Sequence, residues 1–273
     1  MTMQKYQKYF LVSVILLALA MPRWAEATDF DPANVITNED LRAKDSMSAP
    51  AIQKFLAGMP GTLATYQTMA DGRDANGDQI LNTTMTAAEA FADVANRWSI
   101  SPKFLLVLVQ KEQSLVEDPE PTQKQYDWAT GYGVCDNCSL SDPAIQRWKG
   151  FYRQINSAAA QFDYYLANPD EFRYQVGETY TIDGGTVTPQ NTATAAMYNY
   201  TPHLHGNSLF YSIWNRWFAK VFPDGSLVQV PGQAGVWYLQ YGTRRPIKSK
   251  VALLTRFGSQ PILGRPRLLR ASA

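Results

Sequence analysis

Residues Phe104 to Val109 are apolar without a break and follow Ser101-Pro102, a capping serine with proline at the first helical position. A helix that is apolar on every face cannot lie on a surface. It has to run through the middle of a domain with other helices wrapped around it. Leu105, Leu106 and Leu108 are therefore expected to be buried. The helix continues into Gln110-Lys111-Glu112-Gln113-Ser114, and Glu112 shares a face with Leu108, Val109 and Leu115. A carboxyl placed there is desolvated and lies at the negative end of the helix, and both effects favour its neutral form. Glycoside hydrolysis needs an acid of that kind. Two readings are open at this point: Glu112 as a catalytic acid, or Glu112 as a structural group paired with an arginine or capping buried backbone.

The surrounding segments also read mostly as helix. Phe30 to Asp45 is polar and is expected to cross the surface. A helix starts near Ser48, with Ile52, Phe55, Leu56 and Met59 on one face, and stops at Pro60-Gly61. Residues 71–82 form a loop. Its Asp74-x-Asn76-x-Asp78 resembles the start of a calcium loop, but Gln79 stands at the turn-glycine position and Met85 at the bidentate-glutamate position, so it reads as a polar turn. The capping box Thr86-x-x-Glu89 opens a second helix carrying Phe91, Val94, Ala95 and Trp98 inward. The buried helix is third, and Asp142-Pro143 starts a fourth, broken or bent around Gly150. Asp183-Gly184-Gly185 lies between Tyr180-Thr181-Ile182 and Thr186-Val187-Thr188 and reads as a hairpin. Two further helices are expected near 191–198 and 208–222.

The ends of the chain differ from this middle. Lys5 and Lys8, the apolar run Phe10–Ala20 interrupted only by Ser13, and the small-x-small triplet Ala25-Glu26-Ala27 have the layout of a secretory signal peptide, residues 1–27. The apolar run stops at Pro22-Arg23, short of the roughly 20 residues a bilayer span requires. The protein is thus expected to be secreted or held in the cell envelope. Residues 28–223 carry 14 Lys and Arg against 22 Asp and Glu, a net of −8. Residues 224–273 carry 8 Lys and Arg against Asp224 alone, a net of +7. That shift sets an expected boundary, with a mostly α domain over 28–223 and a small basic β-rich module over 224–273. An acidic core in an exported chain makes nucleic acid a poor partner.

Three short stretches carry a resemblance. Leu105 to Ser114 resembles the first motif of family 23 lytic transglycosylases and goose-type lysozymes, an apolar helix ending in a catalytic Glu followed closely by Ser. Ala129-Thr130-Gly131-Tyr132-Gly133-Val134 is similar to their glycine-containing second motif. Ala195-Ala196-Met197-Tyr198-Asn199 is similar to the third, and all three occur in the family's order. The stretch from Phe30 to Phe218 also resembles a set of uncharacterised exported bacterial proteins. Gln113 stands where the transglycosylases have Ser, and Tyr200-Thr201-Pro202 replaces their glycine-rich continuation. The resemblance implies a lysozyme-like core and a glycosidase cleaving the glycan strands of peptidoglycan, with Glu112 as general acid and then base. Ser114, Trp128, Gly131, Tyr132, Tyr198 and Asn199 would bind substrate, Trp128 and Tyr132 either stacking on sugar faces or packing in the core. Asp127 and Glu117 are candidates for a second carboxylate, and no cofactor is implied. The alternative is a non-catalytic glycan-binding or scaffold protein.

Cys135-x-x-Cys138 in an exported chain is expected to form a local disulfide that orders a loop without holding up the fold. With His203 and His205 these cysteines could instead form a Cys2His2 zinc site, though two histidines one residue apart need an unusual geometry, and no metal is expected. The basic tail, Arg244 and Arg245 through Arg270, is either a solvated surface or a hold on anionic wall polymers or a membrane surface.

Overall fold

The computed structural model describes residues 30–264 apart from 75, 81, 136–138, 219–221, 223–224, 230–233 and 242. The expected signal peptide lies outside the described residues. The described chain is mostly helical with small β elements. In order it runs α1 (Asn38–Arg42), α2 (Ala49–Ala57), β1 (Gln67–Ala70), β2 (Thr83–Thr86), α3 (Ala87–Trp98), α4 (Pro102–Gln113), α5 (Gln123–Asp127) and α6 (Pro143–Gln146). Next come α7 (Phe151–Ala167), β3 (Tyr180–Ile182), β4 (Gly185–Val187), α8 (Thr192–Tyr200) and α9 (Leu204–Phe218). The last elements are β5 (Leu227–Gln229), β6 (Val236–Gln240), β7 (Thr243–Pro246), α10 (Lys250–Phe257) and β8 (Ile262–Gly264).

The apolar run organises the main core. Every residue from Phe104 to Val109 is fully buried, and α4 packs against α9, α3 and α7. Phe104 meets Phe162 of α7 at 4.6 Å and Phe210 of α9 at 5.4 Å between ring centroids. Ser101 caps α4 by position only, because its hydroxyl pairs with that of Ser46 at 3.1 Å. The capping box of α3 forms as expected. The Glu89 carboxylate accepts from the Thr86 backbone, and the Thr86 hydroxyl accepts from Glu89 N. Gly150, at φ +117°, separates α6 from α7. The turn Asp183-Gly184 joins β3 to β4 with both residues at positive φ, the conformation a two-residue hairpin of matching twist requires.

Two segments differ from expectation. Phe30 to Asp45 is no surface strap: Val35, Ile36 and Leu41 are fully buried. Thr194 of α8 holds the segment by exchanging two hydrogen bonds with the Ile36 backbone, while Asn38 caps the Ala193 amide. The loop 71–82 is the tip of an unforeseen antiparallel hairpin, β1 with β2. Within it the Asp74 carboxylate accepts from the amides of Asn76 and Asp78, so the polar turn is closed by its own backbone.

Beyond α9 a second, smaller core of Phe222, Val228 and Leu239 lies under a four-stranded sheet of order β7-β6-β5-β8. β8 runs parallel to β5, and the rest of that sheet is antiparallel. None of the residues of α10 is buried.

Candidate functional site

The end of α4, the loop after α5 and the turn between α8 and α9 meet at one place. Ser114 stops α4 at φ +58°, its amide donating to Gln110 O, so Lys111 and Glu112 occupy the last helical turn. The Lys111 ammonium is 2.6 Å from Glu112 Oε1 and donates at 2.8 Å to Thr201 Oγ1. Its side chain is only 4% exposed, against 25% for Glu112. Glu112 is thus ion-paired at the rim of the core and is not the isolated carboxyl in apolar walls that its sequence position suggested.

Gln154 of α7 shapes the loop that faces Glu112. This fully buried side chain accepts from the amides of Thr130 and Tyr132 and donates to the carbonyls of Tyr132 and Trp148. Tyr200, at the end of α8, clamps the same loop by donating to Thr130 O at 2.9 Å. Gly131 is thereby held beside the carboxylate, at φ +69°, where a β-carbon would lie 3.8 Å from Glu112 Oε2. Gly133 is also required, since a β-carbon there would run into the Trp148 ring.

An open-sided pocket of about 450 Å³ lies against this pair. It is lined by Lys111, Glu112, Thr201 and Gly206 together with Asp183, His203, His205 and Leu209. Asp183, from the β3–β4 turn, accepts from Leu204 N and lies 3.2 Å from His203 Nδ1. The backbone amide, then the imidazole, hold its carboxyl below the usual range.

The other residues singled out from the sequence are dispersed. Tyr198 is fully buried and donates to Pro32 O, and Asn199 exchanges two hydrogen bonds with the Tyr174 backbone, so neither lines the pocket. Trp128 is 5% exposed, and Tyr132 packs edge-on against Trp148. Asp127 pairs with Lys149, and Glu117 with Arg216 and Gln110, so neither serves as a second carboxylate in the pocket. Cys135 is disulfide-bonded, while Cys138 lies outside the described residues. Among the described residues no group of three or more His, Cys, Asp or Glu could hold a metal ion. Lys111 and Thr201 carry no sequence signal of their own, and Asp183 reads from the sequence only as a turn residue. They become visible only when α4, α8 and the hairpin are brought together.

Four buried or partly buried tyrosines of the main core carry a pH consequence. Burial, then the charge of Glu112, pushes Tyr200 well above its ordinary value; burial pushes Tyr165 up to about 12 and raises Tyr152 and Tyr198. A phenol whose pKa is raised by folding contributes stability that is complete below the unfolded value of 10.0 and is lost as pH rises through the folded value. Cooperative unfolding is expected between about pH 10 and 12, with tyrosinate absorbance rising as helical circular dichroism falls. Tyrosines that all ionise near pH 10 with the dichroism intact would contradict it.

A sequence model of the family described as LasA, N-terminal domain, matches residues 34–230. No curated protein and no solved structure matches the chain. The family match overturns the resemblance to family 23 transglycosylases and goose-type lysozymes. With it go the lysozyme, transglycosylase and other glycosidase readings, Glu112 as the glycosidic acid, and the alternative of a lysozyme-like binding relic. The physical reason is that those motifs are short and each has a local structural role here. The apolar helix is the core, the glycines permit a loop packed on Trp148 and Glu112, and Tyr198-Asn199 ties α8 to the N-terminal segment and to Tyr174. A match over 34–230 weighs more than three such fragments, and the chain belongs to the LasA N-terminal domain family.

Proposed function

We propose that this protein serves peptidase-type lysis of bacterial cell walls and that the Lys111–Glu112 pocket engages the peptide portion of peptidoglycan. The LasA family is one of secreted, staphylolytic peptidases, which supports peptidoglycan as the substrate and its peptide cross-links as the relevant chemistry. The observation that carries the reading is the pocket itself. A buried ammonium, a partly buried carboxylate and a second carboxylate at Asp183 line one cleft whose remaining surface is largely apolar. Peptide stems carry amines, amides and carboxylates, which such a mixed-charge surface recognises. Among the described residues that line it there is no Trp, Tyr or Phe on which a sugar ring would stack. The export signal read at residues 1–27 fits the same setting, and no described helix is long and apolar enough to cross a membrane.

Sedimentation with purified sacculi tests this. At high salt, where the basic tail's charge attraction is screened, binding is expected to intact sacculi and to be lost after an amidase has stripped the peptides from the glycan. Equal binding to stripped sacculi would overturn the reading.

The basic module over 224–273 has a separate role in this proposal. Arg244 and Arg245 are exposed on β7, and no acidic residue follows Asp224 in the sequence. Such a surface holds anionic wall polymers. R244E/R245E is expected to weaken sacculus binding at low salt, and the difference from wild type is expected to vanish at high salt, where the Debye length is about 3 Å at 1 M. A salt-independent deficit, or none, would count against charge attraction.

A further inference from the structure

We propose that the α10 side of the C-terminal module docks on the surface of an anionic phospholipid bilayer, a contact that does not depend on the Glu112 pocket. No residue of α10 is buried. One of its faces turns to the sheet: Phe257 packs on Tyr238 of β6 at 4.9 Å between ring centroids, and Leu253, four residues earlier on that face, is also only partly exposed. The other large apolar side chains of the helix stand in solvent, Val251 at 73% exposed and Leu254 at 55%. The strand register adds to this patch. Tyr238 pairs with Arg245 of β7 and with Leu227 of β5, and Leu227 pairs with Ile262 of β8. Paired residues share a sheet face. Arg245 and Ile262, both exposed, therefore lie on the side of the sheet where α10 sits.

Charge and apolarity together identify the partner. Lys250 and Arg256 are exposed at the two ends of α10, and the Arg256 guanidinium lies over the Tyr238 and Phe257 rings at 5.4 and 5.3 Å. Residues 224–273 carry a net charge of +7, so an anionic surface is attracted to the whole module. A phosphate-bearing polymer satisfies such cations but has no use for Val251, Leu254 and Ile262. An anionic bilayer offers both headgroup phosphates for the cations and an acyl boundary for the apolar side chains. The eight residues of α10 span only about 12 Å, so the helix lies on the bilayer and does not cross it.

Co-sedimentation of the full chain with vesicles tests this, comparing phosphatidylcholine alone with phosphatidylcholine containing phosphatidylglycerol. Each Lys or Arg near an anionic surface favours binding by about fivefold, so Arg245, Lys250 and Arg256 together predict a preference of at least about tenfold for the anionic vesicles. V251S/L254S keeps every charge and is expected to weaken binding to those vesicles by about tenfold, while binding to lipid-free sacculi stays unchanged. T255L, which widens the apolar face at an exposed position, is expected to strengthen vesicle binding by about threefold. A gain of that kind keeps the test decisive even where the serine variant fails to fold. Equal sedimentation with both vesicles, or vesicle binding that neither V251S/L254S nor T255L alters, would overturn the lipid surface. An equal loss on vesicles and on sacculi would also overturn it and assign the patch to wall polymer.

Discussion

Leu106→Ala is expected to cost about 2–5 kcal/mol, the range for removing a large aliphatic side chain from a packed core that relaxes only partly. Leu106 lies fully buried in the middle of α4, the helix on which α3, α7 and α9 all pack, so no single element can shift to fill the void. For a chain of this size, thermal midpoints move by roughly 2–4 °C per kcal/mol, so calorimetry or a dichroism melt would detect the change easily. A loss under about 1 kcal/mol would mean that α4 is not the rigid centre of the fold.

Gln154→Leu is expected to have an effect of similar size with a different signature. Leucine keeps much of the volume but removes both the acceptor for Thr130 N and Tyr132 N and the donor for Tyr132 O and Trp148 O. Buried backbone groups left without partners cost about 1–3 kcal/mol each, so roughly 3 kcal/mol is expected even when part of the loop turns to water. Amide hydrogen exchange would locate the damage. Thr130 to Tyr132 is expected to lose protection while the α4 amides keep theirs. Unchanged exchange in that loop would show that Tyr200 and Gly133 hold it without the glutamine.

Which elements could be read from the sequence follows from where their information lies. The apolar face of α4, the Thr86–Glu89 capping box, the Asp183-Gly184 turn and the break at Gly150 are local signals, and each appears where its residues stand. The β1–β2 hairpin was hidden because Gln-Thr-Met-Ala and Thr-Thr-Met-Thr show no apolar alternation, and only Ala70 of its residues is fully buried. The burial of Val35 and Ile36 depends on Thr194, which is distant in sequence, and so leaves no periodic trace.

At the site, Glu112 was conspicuous as a carboxylate closing an apolar helix, but its partner was not. Adjacent helical residues do not face each other in a regular turn, so a Lys111–Glu112 pair is not an expectation from spacing. It forms where α4 ends and Thr201 arrives from α8 to orient the ammonium. The resemblance assigns substrate binding to Tyr198 and Asn199, whereas the side chains that meet Glu112's surroundings are those of the next two residues, Tyr200 and Thr201. Short motif likeness carried the wrong chemistry because a glycine turn and a buried tyrosine answer packing needs common to many folds.

Binding measured on separated wall components tests the central claim most directly. The full chain would be titrated with sugar-free, cross-linked stem peptides and, in parallel, with peptide-free glycan strands at the same concentrations. Saturable binding of the peptides and none of the strands is the predicted result. Saturable binding of the strands, with no detectable binding of the peptides, would contradict it.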